Sequence, residues 1–269
     1  MSAHPVSRTP AANTSVGILR CAVIGAGAWG TAIADRLARN GHSTLLWARE
    51  EDVVDSINAT HENKRFLAGA LLGQTLRATS DMRAALDGAD VVIYAAPSHV
   101  LRPVVAAGRG MIAPNAVLAV ATKGIERDTL SLMTEVVESE APNFSVVALS
   151  GPSFAAEVAA GQPTAIVSAC ANLEAAHRVQ HACSSPAFRV YTTDDVIGVE
   201  LGGALKNIMA VATGILDGLG LGYNPRAALI TRGLAEMARL GVALGARSET
   251  FAGLAGMGDL VLTCTGALS

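Results

Sequence analysis

Cysteine is scarce in this chain: four residues in 269 (Cys21, Cys170, Cys183 and Cys264), far apart and without a C-x-x-C pair. That scatter disfavours a disulfide framework or a zinc site and predicts buried free thiols. An excess of basic charge is also missing. With a net charge of −3 there is no positive field for nucleic acid or an anionic membrane, so any anionic ligand must be held by local groups. Long apolar runs are absent as well. The longest uncharged stretches, such as 141–156, include Pro, Asn, Ser and Gly, and none supplies the roughly 20 apolar residues of a membrane helix. No membrane span is expected. Residues 1–18, MSAHPVSRTPAANTSVGI, lack the apolar segment of a signal peptide, which predicts a disordered lead-in and a cytoplasmic protein. No internal repeat or low-complexity linker divides the chain.

What the chain does have is apolar material, 51% of its residues, enough for a large core. Short runs (RCAVIG, STLLWA, DVVIYA, AVLAVA, SVVALS, TAIVSA, FRVYT) alternate with stretches of helical length. The rhythm predicts β-α-β units and a mainly parallel sheet covered on both faces. After Asp194 the pattern changes to Gly/Ala/Leu-rich helical stretches, 195–217 and 224–245, with no strand between them. The expected fold class is therefore α/β: a Rossmann-like doubly wound sheet over residues 19–194, then a helical domain over 195–269.

The first strand runs into GAGAWG, in which Gly25, Gly27 and Gly30 have G-x-G-x-x-G spacing, followed by the helical TAIADRLARNGH. The first glycine allows a tight turn, the second lets backbone approach a pyrophosphate, and the third lets helix pack on strand. The helix N-terminus then faces the phosphates. This predicts dinucleotide binding. The second strand bears on the choice between NAD and NADP, because an acid there receives a ribose hydroxyl and an arginine a 2′-phosphate. Here it ends in Arg49-Glu50, which favours NADP while leaving NAD open; both are also ordinary solvated strand-end charges.

Ligands of open α/β sheets lie beyond the carboxyl ends of strands. At those ends stand Pro97-Ser98-His99, Thr122-Lys123-Gly124 and Ser150-Gly151-Pro152-Ser153. Ser98 reads first as a helix cap and His99 as a surface histidine, whereas Lys123 is either a ligand group or a solvated loop lysine. The serines do not make a G-x-S-x-G nucleophile elbow, which removes the main support for a serine hydrolase. Between Ile197 and Leu216 the only charged groups are Glu200 and Lys206. A lysine with a pKa near ~10.4 prefers water, so Lys206 either snorkels to the surface or is buried for a purpose. Gly202 and Gly203 cost roughly 1 kcal/mol each within a helix and suggest a close backbone approach.

With the glycine turn, ATKGI, SGPSFAAEV, ELGGALKNIMA and GMGDLVLTCTGALS in that order, the chain from Cys21 onward resembles the bacterial type of NAD(P)-dependent glycerol-3-phosphate dehydrogenase. The resemblance implies reversible reduction of dihydroxyacetone phosphate to sn-glycerol 3-phosphate, with NADP or NAD as cofactor, feeding glycerophospholipid synthesis. It leaves a homodimer open. Position by position it implies cofactor contacts at Gly25, Gly27, Ala28, Trp29, Gly30, Arg49, Lys123 and Ala155. Substrate contacts are implied at Lys123, Gly151, Ser153, Lys206, Asp259 and Ser269, with Lys206 as proton acceptor.

Hydride transfer to a ketone leaves negative charge on the carbonyl oxygen, which Lys206 could meet as a donor, its pKa lowered by desolvation. Asp259 and Thr263 would share one helix face, either aimed at a cleft or as a capping Asp and a back-bonded Thr. Asn207, about ~100° round the helix from Lys206, is a weaker candidate. The family continues past Ser269 with a phosphate-gripping arginine, a contact worth roughly 1.5 to 3 kcal/mol. Weaker substrate binding and uncovered apolar faces are therefore expected. A second reading is a cofactor-binding remnant that no longer catalyses, and a third is a related dehydrogenase acting on another substrate.

Overall fold

A computed structural model of the protein describes residues 17–266. Residues 1–16 of the expected lead-in, and the substrate position Ser269, lie outside the described residues. Eight strands form one sheet: β1 (Arg20–Ile24), β2 (Ser43–Trp47), β3 (Arg77–Thr79), β4 (Val91–Tyr94), β5 (Val117–Val120), β6 (Val146–Ser150), β7 (Thr164–Ala169) and β8 (Phe188–Thr193). Their spatial order is β3-β2-β1-β4-β5-β6-β7-β8. The chain leaves β1 to build β2 and β3 on one side and returns to add β4 on the other, so a crevice opens beyond the carboxyl ends of β1 and β4. All ladders are parallel except that between β6 and β7. The sequence runs name seven of the strands. The missed one, β3, has three residues and pairs only with β2, too short to show a pattern.

Helices α1 (Ala28–Arg39), α2 (Glu51–Thr60), α3 (Met82–Leu86), α4 (Ser98–Gly108), α5 (Met133–Glu140), α6 (Ala155–Ala159) and α7 (Leu173–Cys183) cover the sheet. Ile33 and Leu37 of α1 and Val179 of α7 pack on one face, while Leu101 and Val105 of α4 and Val137 of α5 pack on the other. Burial on both faces is why β4, β5 and β6 read as continuous apolar runs. Each such fully buried aliphatic side chain contributes roughly 1.5 to 3 kcal/mol. All four cysteines are buried and free, as their scatter predicts.

Helices α8 (Val196–Gly218), α9 (Tyr223–Ala243), α10 (Ser248–Phe251) and α11 (Asp259–Thr265) follow, with a π-helical turn, Leu254–Gly258, before α11. Asp195 starts α8 by accepting from Gly198 N at 3.0 Å, and it ties that end to the α10 segment through Arg247 N at 3.0 Å. The expectation of no membrane-length segment needs one correction. With 23 residues and an 18-residue window of mean hydropathy 1.3, α8 is long and apolar enough to cross a bilayer by length and composition alone. The spacing of its three charges, Glu200, Lys206 and Asp217, hides this in the sequence. Its N-terminal half is instead protein core: Val199, Glu200, Leu201, Gly202 and Gly203 are all buried against neighbouring elements.

Candidate active site

At the glycine turn, Gly25 takes φ +116°, a left-handed conformation that suits a residue without Cβ, and a Cβ on Gly30 would lie 1.9 Å from Gly25 O. Gly27 faces open space and sits at the α1 N-cap with no side chain bonded to the helix end. Among the described residues no side chain bonds the first N–H groups of α1, as a phosphate site at a helix N-terminus requires. Beneath the turn, Asn63 is fully buried. Its amide donates to Ala26 O and Thr31 Oγ1, both at 2.8 Å, and its Oδ1 accepts from Phe66 N at 3.0 Å. This clamp was missed by sequence reasoning, because a polar residue in the loop before β3 carries no local sign of what it packs under.

The cleft in front of the turn has a volume of about 380 Å³ and runs from Gly27, Ala28, Trp29 and Gly30 past Pro97 and Ser98 to Lys123 and Ser153. Ser98 does not cap α4, as its sequence context suggested; Pro97 holds that position, and Ser98 begins the helix at the cleft wall. His99 is exposed. Arg49, at the end of β2, has a side chain 80% exposed and lies 3.0 Å from Glu50. Ala155 opens α6 and packs on the core behind the cleft.

The other end of the cleft brings three elements together. Two of the chain's three lysines meet there on one carboxylate. Lys206 Nζ, from α8, donates to Asp259 Oδ1 at 2.6 Å and to Thr263 Oγ1 at 2.8 Å. Lys123 Nζ, from beyond β5, donates to Asp259 Oδ2 and to Gly151 O at 3.2 Å, and Ser153 Oγ reaches the same carbonyl at 3.0 Å. Asp259 is 1% exposed. A carboxylate so buried needs paired charge, and two ammonium groups supply it. Thr263 satisfies both alternatives drawn from the sequence, since its hydroxyl also donates to Asp259 O at 2.7 Å while meeting Lys206. Asn207 is exposed.

Burial pulls the Lys123 ammonium down to about 8, against the opposing attraction of Asp259 and with the repulsion of Lys206. The approach of α8 depends on its glycines: a Cβ on Gly203 would lie 2.8 Å from Ser150 Oγ and 3.3 Å from Lys123 Cγ. The cluster of two cations and one anion keeps a net charge of +1 beside a cleft floored by an uncapped helix N-terminus. That arrangement suits an anionic substrate next to a dinucleotide.

A doubly wound sheet with an open phosphate turn, joined to helices that place a lysine at the cleft, defines a nicotinamide-dependent oxidoreductase. The chain belongs to the NAD-dependent glycerol-3-phosphate dehydrogenase family: the N-terminal part of that family matches residues 20–176 and the C-terminal part residues 195–269. A glycerol-3-phosphate dehydrogenase [NAD(P)+] of Trichlorobacter lovleyi is 56% identical over 254 residues, covering 93% of this chain and 76% of the relative. One from Geobacter sulfurreducens is 54% identical, with the same coverage of 93% and 76%. The crystal structure of glycerol-3-phosphate dehydrogenase from Coxiella burnetii matches with a TM-score of 0.89 at 44% identity, over 94% of this chain and 77% of that one.

Proposed function

We propose that the protein interconverts dihydroxyacetone phosphate and sn-glycerol 3-phosphate with NADP or NAD, residues 19–194 holding the cofactor and 195–269 supplying the proton-transfer group. The observation that carries this reading is the meeting of Lys206 and Lys123 on the buried Asp259 at the mouth of the cofactor cleft. The open Gly27 position and the uncapped start of α1 fit the pyrophosphate of a dinucleotide, and Gly25, Ala28, Trp29 and Gly30 frame it. When bound, the nicotinamide gives or takes the hydride. Lys206 then donates its proton to the oxygen of the ketone in reduction and accepts it from the secondary hydroxyl in oxidation. Asp259 orients that ammonium, Lys123 holds positive charge against the phosphate-bearing substrate, and Gly151 and Ser153 line its path. Arg49 reaches out where a 2′-phosphate would sit, supporting a preference for NADP, and Glu50 beside it lowers the cost of accepting NAD. Ala155 and Ser269 complete the proposed contacts, with cofactor and substrate respectively.

The remnant reading is not favoured, because relatives named for the activity are 52–56% identical along 93% of the chain. Four buried free thiols support a reducing compartment, the cytoplasm. For assembly we propose a homodimer, supported by an exposed apolar stripe made by Ile208, Val211 and Ile215 of α8 and Leu219 directly after it. Sedimentation as a monomer at micromolar concentration would remove that part. The reaction itself is tested by mixing protein, NADPH and dihydroxyacetone phosphate and following the absorbance of the reduced nicotinamide. Substrate-dependent loss of absorbance is expected; bound NADPH with no turnover would overturn the assignment.

A further inference from the structure

Glu200 is a charged group of α8 that has no part in the chemistry above. It is buried, and it reaches across to the first turn of α5: Thr134 N donates to its Oε1 at 3.0 Å and the Thr134 hydroxyl donates to its Oε2. The carboxylate thus satisfies an orphan donor at the amino end of another helix. The place of that helix in the chain matters. The connection from β5 to α5 first presents Lys123 and then, after folding back through the Ile125–Leu132 bridge, delivers Thr134. Leu132 of the same connection packs in one cluster with Leu201, next to Glu200 on α8.

The element carrying Lys206 is therefore fastened to the element carrying Lys123 at two points. One is the shared Asp259 at the cleft; the other is the Glu200–Thr134 tie. Glu200 and Lys206 are six residues apart, about 9 Å along a rigid helix, so a shift of α8 at the tie is carried to the Lys206 ammonium. We infer that Glu200 is a positioning residue: by binding the start of α5 it sets the reach of Lys206 toward Lys123 and the substrate oxygen. The tie has a cost that a purely structural contact would not need. Burial raises the Glu200 carboxyl to about 7, against the Thr134 bonds that favour its charge, and Glu135 of α5 adds repulsion. An apolar residue of similar size would be the cheaper filling for that place.

This role rests on the reading of Lys206 as the proton-transfer group, and its test has an arm that needs no turnover. Three variants are compared with the unaltered chain: Glu200→Leu removes the tie, Glu200→Gln keeps its shape and hydrogen-bonding capacity, and Thr134→Val weakens it from the other side without touching α8. In Glu200→Leu, kcat for dihydroxyacetone phosphate reduction is expected to fall about 10- to 100-fold, the cost of a displacement on the order of 1 Å, with the dissociation constant of NADPH unchanged. Thr134→Val is expected to fall in the same sense by less, and Glu200→Gln to recover most of the rate.

The second arm follows reductive methylation of Lys206 by peptide mass spectrometry, with the exposed Lys64 as internal standard. Lys206 labelling is expected to rise several-fold in Glu200→Leu and Thr134→Val and to stay at the original level in Glu200→Gln. Unchanged kcat and labelling in Glu200→Leu and Thr134→Val would overturn the inference. So would a Glu200→Gln protein as impaired as Glu200→Leu, or parallel loss of NADPH binding and rate. If the unaltered chain proves inactive, the proposed reaction fails while the labelling arm still decides the positioning.

Discussion

At the scale of single residues, the chemistry of the cleft is a division of labour between two lysines that share one carboxylate. Lys206 is 12% exposed at its side chain and makes two short polar contacts, Lys123 is 23% exposed, and burial draws the Lys123 ammonium down to about 8. Replacing Lys206 with Ala is expected to lower kcat by about 10²- to 10⁴-fold, the usual worth of a positioned proton-transfer group, without changing NADPH affinity measured by fluorescence titration. Turnover close to that of the unaltered chain in that variant would defeat the assigned role. For Lys123 the consequence is a pH dependence. Its folded pKa lies below the ordinary value of 10.5, so its charge is present below about 8 and is lost as pH rises through that value. KM for dihydroxyacetone phosphate should accordingly climb above pH 8, and Lys123→Met should raise KM at pH 7 and flatten its rise above pH 8. A KM independent of pH between 7 and 9.5 in the unaltered chain would show that Lys123 does not hold the substrate.

At the scale of elements, the site depends on how closely α8 can approach the ends of β5 and β6. Gly203 faces Ser150 and the aliphatic part of Lys123, and Gly202 faces the Ala255 carbonyl, 2.4 Å from where its Cβ would lie. The two glycines flagged as costly in the sequence are the contact surface of the helix. Gly203→Val should push α8 outward, destabilise the fold by about 1 to 3 kcal/mol as overpacking does, and lower kcat more than it changes cofactor affinity. Urea unfolding and NADPH titration on the same preparation separate the two effects. The same scale shows what a sequence conceals. Asn63, in the loop before β3, and Glu200, on α8, act on partners 32 and 66 residues away. No local pattern reports a hydrogen bond of that span. By contrast Asp259 and Thr263, four apart on α11, could be read as a pair because helix geometry alone puts them on one face.

At the scale of the whole molecule, the sheet unit and the helical unit are joined through buried charge as well as apolar packing, and this makes stability depend on pH. The Glu200 carboxyl is raised from 4.5 to about 7. Its contribution to folding is therefore fully present below pH 4.5 and is lost as pH rises through 7, a change of about 3 kcal/mol at most. Glu200→Gln removes the ionisation, so the difference in denaturant midpoint between that variant and the unaltered chain should grow in the variant's favour between pH 5 and 8. An identical pH profile for the two proteins would show that Glu200 titrates as it does in the unfolded chain.

By itself the sequence determined the alternation of strands and helices, the phosphate turn and the helical character of 195–269, because these follow from short-range periodicity, from the torsional freedom of glycine and from side chains a few residues apart. It also marked Lys206, since a cation in an apolar stretch is conspicuous in one dimension. The tertiary structure alone decided that Lys206 and Lys123, 83 positions apart in number, converge on Asp259. It decided too that an eighth strand of three residues closes one edge of the sheet, and that Glu200 ends at the start of α5. The physical reason is common to these cases. Each is a pairing between distant segments whose energy comes from burial and direct contact, and neither exists until the sheet has brought the segments together.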